Sequence, residues 1–265
     1  MLVIISKYIM KGMHKMKRSI LKKSLAILVV LVMTLSSLIL PASAVAPIDA
    51  AQALYEFGLF RGIGNDEDGN PIFNLEGNAT RAQGIAMLVR LLGAADIAYE
   101  GGFEIPFEDV DTEAWYFGYI GYAYTMGYAS GVSDTLFRPD GELSAAMFLT
   151  FALRALGYVS GEDFEWDAAW DLTDELYITI TGQYTADRNT IDRGGMVRVA
   201  FLTLLTDSNT TGNMLIQDLV DAGGIDADAI EVFLDIRDNP PAVEPPIGDI
   251  DDEDEEDGGD DEADE

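Results

Sequence analysis

Three stretches of the chain place apolar residues at the same intervals after a residue that favours the start of a helix. The three starting residues are Thr80, Ser144 and Asp192. Apolar side chains follow at i, i+3, i+4 and i+7 spacing: Ile85, Leu88, Val89, Leu92; Leu149, Ala152, Leu153, Leu156; Val197, Ala200, Phe201, Leu204. The pattern predicts three amphipathic helices, and Gly93 and Gly157 are expected to end the first two.

A second helix is predicted ahead of each of these three. "AAQALYEFGLFRG" (residues 50–62) and "IGYAYTMGYASG" (residues 120–131) share two glycines four residues apart, and "WDAAWDLTDELYIT" (residues 166–179) takes the corresponding place in the third copy. Each unit then reads helix, loop, helix. One unit of about fifty residues buries too little apolar surface to offset an ordering cost of roughly 1.5 kcal/mol per residue. Three units that share one core would be stable together.

The pattern therefore predicts an all-α fold of three repeats with short additions. The repeats are expected at residues 45–94, 103–158 and 162–206. Two further short helices, within residues 207–236, are expected to cover an open end of the core. Residues 237–265 form a Pro-rich spacer and a tail in which 13 of the last 17 residues are acidic. Such a tail is expected to be disordered.

The first 44 residues have the features of a secretory signal peptide. Basic residues precede a short apolar run, which ends in the small residues of "PASA" at residues 41–44. The alternative is a membrane anchor, but the run is shorter than the roughly 20 residues that a spanning helix needs. We therefore predict cleavage before Val45, export, and no membrane span in the mature chain.

Charge and composition exclude several classes of function. The 265 residues carry 47 acidic and 16 basic side chains, and seven of the basic residues belong to the predicted leader. Nine arginines then remain, with a formal charge of −38, which excludes nucleic acid as a partner. The single histidine, His14, also lies in the leader, and there is no cysteine. We accordingly predict no Ser-His-Asp triad, thiolate nucleophile, metal site or cofactor.

The stretch "NDEDGN" at residues 65–70 has some of the composition of a calcium-binding loop. It lacks the bidentate Glu that should follow a proper first ligand at the twelfth position. A solvated turn is the preferred interpretation.

The second unit contains most of a recognisable set of motifs. It has an opening Phe-x-Asp-Val with a following Trp, a Gly-x-x-x-Gly loop and a Phe-x-Pro turn: Phe107, Asp109, Val110, Trp115, Gly127, Gly131, Phe137 and Pro139. The first unit keeps "TRAQ" at residues 80–83, and the third keeps "DRGG" at residues 192–195. Together these residues resemble S-layer homology repeats, of which the first and third are divergent.

The resemblance implies a pseudo-threefold helical spindle on the cell surface. Such repeats hold exported proteins on the cell envelope by binding an anionic, often pyruvylated, secondary wall polysaccharide in grooves between repeats. A non-enzymatic anchor is thus implied. The family's Thr-Arg-Ala-Glu motif is incomplete here, because its Glu is replaced by Gln83, Met147 and Gly195, and its Arg by Ala145 in the second copy. At least one groove is therefore expected to be weakened or silent.

Arg81 and Arg193 are the main candidate binding residues. Both follow a helix cap directly, where the helix dipole makes a cation mildly unfavourable. An anion held by free amide N–H groups and a guanidinium would explain this placement. The alternative is an ordinary salt bridge to one of the many acidic residues.

Four further residues complete the predicted polysaccharide site. Trp115 is the candidate floor of one groove, with a place in the core as the alternative. Asp109 could accept a hydrogen bond from a sugar hydroxyl or cap the following helix, and the local sequence favours the cap. Thr80 and Gly131 are included because they belong to the family's motifs.

Two other functions compete with the wall anchor. In the first, a structural or interaction protein has repeats that no longer bind sugar, and its acidic tail binds divalent cations or a basic partner. In the second, a carboxylate-based glycan hydrolase would need a pair of acidic residues, and no such pair stands out from the acidic background.

Overall fold

The computed structural model describes residues 45–185 and 190–240. The predicted leader, and the predicted tail from residue 241 onward, lie outside the described residues. The described part is mostly helical, in agreement with the expectation from the repeats. Its helices are α1 (Pro47–Glu56), α2 (Arg81–Leu91), α3 (Ala95–Glu100), α4 (Phe117–Thr125), α5 (Ala145–Ala155), α6 (Ala169–Glu175), α7 (Arg193–Leu204), α8 (Leu215–Asp221) and α9 (Asp228–Asp238). A short 3₁₀ helix, Trp166–Ala168, precedes α6.

The three helices with the repeated apolar pattern, α2, α5 and α7, lie at the centre and contact one another. Of the twelve predicted apolar positions, only Leu92 is partly exposed, and the others are buried. Gly93 and Gly157 follow α2 and α5 with positive φ angles of 67° and 89°, which is the backbone conformation expected at these helix ends. The sequence pattern therefore identified the core correctly.

The first helix of each unit packs on the central helix of another unit. Helix α4 packs on α2, α6 on α5, and α1 on α7, so the contacts run around the molecule and return to their starting point. A ring of backbone hydrogen bonds joins the residues before the three caps: Leu143 N–H donates to Ala79, Ile191 N–H to Leu143, and Ala79 N–H to Ile191. The segment before each cap is therefore hydrogen-bonded to the corresponding segments before the other two caps.

One helix and two short strands were not predicted. Helix α3 has only six residues, too few for an apolar period to stand out, and it packs on α4 where Gly118 admits the close approach of the Ala98 carbonyl. The "NDEDGN" stretch is an exposed turn, as preferred, but it joins two antiparallel two-residue strands, β1 (Gly64–Asn65) and β2 (Pro71–Ile72). These strands add to an otherwise helical structure.

The turn at residues 65–70 satisfies its own polar groups. The Asp66 carboxylate accepts hydrogen bonds from the backbone N–H groups of Asp68 and Asn70 and from the Asn70 side chain. The bonds from Asn70 hold the pKa of Asp66 below its usual value.

The two closing helices pack against the repeat core. Phe233 of α9 is fully buried and stacks on Phe201 of α7, with ring centroids 4.7 Å apart. It also meets Phe57, at 6.0 Å. Helix α9 continues to Asp238, two residues beyond the predicted end of this region.

Candidate functional site: two grooves between repeats

The three predicted caps begin α2, α5 and α7. The side chains of Thr80, Ser144 and Asp192 each accept a hydrogen bond from the backbone N–H three residues later, over 3.3, 3.2 and 2.6 Å. Thr80 also donates its own N–H to the Gln83 side chain, which completes a capping box. We predicted that Thr80 binds the polysaccharide, but in the structure its hydroxyl caps α2.

The first two amides of α2 and α7 are also occupied, by the turn of a neighbouring unit. Arg81 and Ala82 donate to the carbonyls of Gly141 and Pro139, each over 2.9 Å. Arg193 and Gly194 donate in the same way to Gly77 and Leu75, over 2.9 and 2.7 Å. The prediction that free amides at these two helix starts would hold an anion is therefore wrong.

The two motif guanidinium groups are buried and hold the same turns. Arg81 and Arg193 are 8% and 2% exposed, and their Nε atoms donate to the carbonyls of Phe137 and Phe73 over 2.9 and 2.8 Å. Burial lowers the pKa of both guanidinium groups. Within the described residues, neither is within salt-bridge distance of a carboxylate, so that part of the chain gives the ion-pair alternative no support.

A second pair of arginines, which we did not predict for the site from the sequence, lies at the same two grooves. Arg90 and Arg154 stand 64 residues apart near the ends of α2 and α5. Each donates from Nη1 to a carbonyl of the glycine loop, Leu59 for Arg90 and Tyr128 for Arg154. The sequence does place Arg90 and Arg154 at the same position of two repeats, but this correspondence does not reveal what they contact.

Arg81 and Arg154 border one cavity of about 310 Å³, which we call the arginine pocket. This volume lies at the lower end of the range of about 300 to 1,000 Å³ that is usual for small-molecule sites. Trp166, just before α6, also lines the pocket and is 60% exposed. The remaining lining residues are Ile85, Ala129, Ser130, Phe137, Met147, Thr150 and Phe151. The pocket therefore combines two cations with an aromatic side chain from the third unit.

Arg193 and Arg90 border a second groove, which we call the aromatic groove. They flank the segment of residues 59–61: Arg90 binds the Leu59 carbonyl, and Arg193 binds the Arg61 carbonyl through Nη2 over 3.3 Å. The Phe60 ring lies against the Arg193 guanidinium, with its centroid 5.0 Å from Cζ. The Arg90 guanidinium lies over the ring of Tyr119 and donates to its hydroxyl.

Trp115 belongs to the surroundings of the aromatic groove. It is 57% exposed, which rules out the core alternative, and its ring meets the edge of Tyr119 at 6.3 Å. It does not line the arginine pocket. Trp166 is the exposed tryptophan of the arginine pocket, and its place in a divergent third unit gave the sequence little to mark it.

Asp109 and Gly131 support the turn of the second unit. The Asp109 carboxylate accepts from the backbone N–H groups of Phe137 and Arg138 over 2.8 and 2.7 Å, so it does not cap the following helix as favoured. Gly131 has the carbonyls of Ser133 and Leu136 close to where a Cβ would lie. Asp109 thus fixes the turn whose Phe137 carbonyl accepts a hydrogen bond from Arg81.

Comparison with known proteins identifies the second unit. The model of the S-layer homology domain matches residues 106–144, which include Asp109, Gly131 and the turn described above. The chain contains an S-layer homology domain.

Relatives of the chain are cell-surface proteins. It is 33% identical over 156 residues to a "Cell surface protein" of Thermoanaerobacter kivui, 26% over 154 residues to a "Middle cell wall protein" of Brevibacillus brevis, and 27% over 157 residues to a "Surface layer protein" of Brevibacillus choshinensis. These alignments cover 58%, 58% and 57% of the chain, but only 19%, 14% and 14% of the relatives. The S-layer homology domain and these relatives support a cell-wall-associated surface protein that is secreted to the cell envelope.

Proposed function

We propose that the chain is a non-enzymatic anchor that binds an anionic, pyruvylated secondary wall polysaccharide in the arginine pocket. The observation that carries this proposal is a pair of desolvated guanidinium groups that border one open cavity. Burial lowers the pKa of both Arg81 and Arg154, and the carboxylate of Asp109 partly offsets this for Arg81. Within the described residues, neither guanidinium is within salt-bridge distance of a carboxylate, so the cavity favours an acidic ligand.

The rest of the pocket suits a sugar. The Trp166 ring offers an exposed apolar face, and Ser130 and Thr150 bring hydroxyl groups to the lining. Among the described residues, no carboxylate lines this pocket. A carboxylate-based hydrolase needs two such groups around the scissile bond, so binding is favoured over hydrolysis.

The arrangement of the three units supports the same proposal. We take them to be pseudo-threefold repeats of one spindle, because the backbone ring at Ala79, Leu143 and Ile191 and the cyclic helix contacts relate each unit to the next. The arginine pocket then lies where all three meet, with Arg81 from the first unit, Arg154 from the second and Trp166 from the third.

Membrane insertion of the described part is not needed for anchoring by this route. Within residues 45–185 and 190–240, no helix has both the length and the apolar character required to cross a bilayer.

The test is co-sedimentation of residues 45–265 with three preparations of cell-wall sacculi: intact, treated with mild acid to remove pyruvate ketals, and stripped of the secondary polymer. We expect the protein to bind intact walls and not to bind stripped walls. Removal of pyruvate should weaken binding by at least about tenfold, because each charged hydrogen bond contributes about 1.5 to 3 kcal/mol. Equal binding to all three preparations would contradict the proposal.

A matched pair of variants tests the residues. Arg154→Gln should weaken binding to intact walls by about tenfold or more, because it removes a cation from the pocket. Arg198→Gln is the control, since Arg198 is also half-buried on a central helix but does not line this pocket. Equal loss in both variants would contradict the assignment of the pocket.

A further inference from the structure

The two grooves have the same backbone but differ in whether space is left for a ligand. Phe60 and Ala129 occupy equivalent positions, two residues after Gly58 and Gly127, which have φ angles of 73° and 76°. The Phe60 N–H donates to the Leu54 carbonyl over 2.9 Å, and the Ala129 N–H donates to Ala123 over 3.1 Å. The preceding residue of each loop donates to the same carbonyl.

The side chains at these equivalent positions have opposite effects. Ala129 lines the arginine pocket, where its methyl group leaves the space beside Arg81 open. The Phe60 ring is buried, lies against the guanidinium of Arg193 and packs on Phe73 at a centroid distance of 5.7 Å. In the aromatic groove, the chain's own ring thus fills the corresponding volume.

A second pair of positions repeats this difference. Tyr119 lies four residues before Ala123, whose carbonyl accepts from both loop amides of the second unit. Ala169 lies four residues before Thr173, whose carbonyl does the same in the third unit. Tyr119 contacts the Arg90 guanidinium in the aromatic groove, whereas the equivalent residue of the third unit, Ala169, is a buried alanine without a ring.

The third interface lacks the motif cation. Ala145 stands where the other central helices carry Arg81 and Arg193. A separate cavity of about 380 Å³ lies beside the start of α7 and includes no residue of α5. Among the described residues, its charged lining consists of Glu76, Asp192 and Arg198, and the two carboxylates make it less favourable for an acidic sugar.

We propose that the chain binds one wall-polymer segment, in the arginine pocket alone, because Phe60 and Tyr119 close the equivalent groove from within. The inference rests on the proposed function for its ligand class and adds the stoichiometry and the residues that set it. Position 129 and its counterpart 60 decide which groove is open.

Reciprocal substitutions test this directly. The probe is a methyl hexoside that carries a 4,6-linked pyruvate ketal, titrated calorimetrically into residues 45–265, with binding to intact sacculi as a second readout. We expect one site in the wild type. Ala129→Phe should weaken binding by about tenfold or more, since a ring would occupy the ligand's volume. The variant is expected to fold, because Phe60 shows that this backbone accepts a phenylalanine.

Phe60→Ala combined with Tyr119→Ala should open the aromatic groove and raise the stoichiometry from one site to two. Ala129→Leu is a smaller plug that keeps the test valid if Ala129→Phe does not fold, and it should also weaken binding. Two sites in the wild type, or unchanged affinity in the plugged variants, would overturn this inference and leave the proposed function standing. A wild type that binds neither the glycoside nor the walls would overturn the proposed function itself.

Discussion

The arginine pocket and the aromatic groove contain the same motif arginine in the same backbone setting, but the aromatic groove has the Phe60 ring where the arginine pocket has Ala129. Arg81 and Arg193 each bind a phenylalanine carbonyl through Nε and a glycine carbonyl through the backbone amide. Their shared task is to fasten the turn of a neighbouring unit. The two grooves differ at positions outside the motif: one has Phe60 and Tyr119 where the other units have Ala129 and Ala169. The motif arginine therefore stabilises the contact between repeats, and the side chains around it determine whether a ligand can bind there.

The largest expected effect separates these two roles. Arg193→Ala should lower the free energy of unfolding by about 2 to 4 kcal/mol, because it leaves the buried carbonyl of Phe73 and the partly buried carbonyl of Arg61 without their charged donor. Urea denaturation measures the loss. Wall binding should persist under conditions where the variant is folded. Arg198→Ala on the same helix is the control, with a change within about 0.5 kcal/mol.

An Arg193→Ala variant that is as stable as the wild type would contradict the structural role. Loss of wall binding by the folded variant would instead show that the aromatic groove binds ligand.

The next effect concerns the turn that holds Arg81. Asp109→Ala should cost about 1 to 3 kcal/mol, since the backbone N–H groups of Phe137 and Arg138 lose their acceptor. Asp111→Ala is the matched control, because that carboxylate accepts from Glu113 in an exposed position. Thermal unfolding of both variants measures the difference. Equal melting temperatures would show that the turn does not depend on Asp109.

A comparison of two exposed tryptophans sharpens the distinction between the grooves. Trp166→Ala should weaken binding to intact walls by about tenfold, a loss of about 1.4 kcal/mol, because it removes the aromatic face of the pocket. Trp115→Ala should bind like the wild type, since Trp115 borders the aromatic groove. Both variants should keep the wild-type melting temperature. The reverse order of binding losses would contradict the choice of pocket.

The smallest expected effect lies in the third unit, which contributes Trp166. Tyr177 has a φ angle of 59° at the position that Gly58 and Gly127 occupy in the other units. A left-handed conformation costs a non-glycine residue about 1 to 2 kcal/mol. Glycine avoids this cost, but it loses more conformational entropy on folding, which cancels part of the gain. Tyr177→Gly should therefore raise stability by about 0.5 to 1 kcal/mol, measured by urea denaturation.

Tyr177→Ala serves as the control for Tyr177→Gly. It removes the same exposed ring but keeps the backbone penalty, and no gain is expected. A similar gain in both variants would mean that the ring, and not the φ angle, is unfavourable.

Much of the fold could be predicted from local signals. The caps at Thr80, Ser144 and Asp192 and the apolar periods after them lie within a few residues of each other, and the chain repeats them three times. Helix α3 and the strands β1 and β2 could not be found in this way, because they are too short to show a period. The spacing of the units did not by itself reveal the cyclic packing.

The site was harder to predict, because its contacts join distant parts of the sequence. Arg81 and Arg193 bind carbonyls 56 and 120 residues away, and these turns also occupy the amides that sequence reasoning took to be free. The pocket takes Arg154 and Trp166 from two other units. A motif shows to which repeat a residue belongs, but it does not show which side chain of the neighbouring repeat contacts that residue.

The most direct test of the central claim uses the three tryptophans of the chain, Trp115, Trp166 and Trp170, as reporters. Each gives one indole N–H signal in a ¹H–¹⁵N spectrum, assigned by single substitutions, and residues 45–265 are titrated with solubilised secondary wall polymer. We expect the Trp166 signal to shift or broaden and the Trp115 signal to stay in place. A response at Trp115 with none at Trp166 would mean that the polymer does not bind in the arginine pocket.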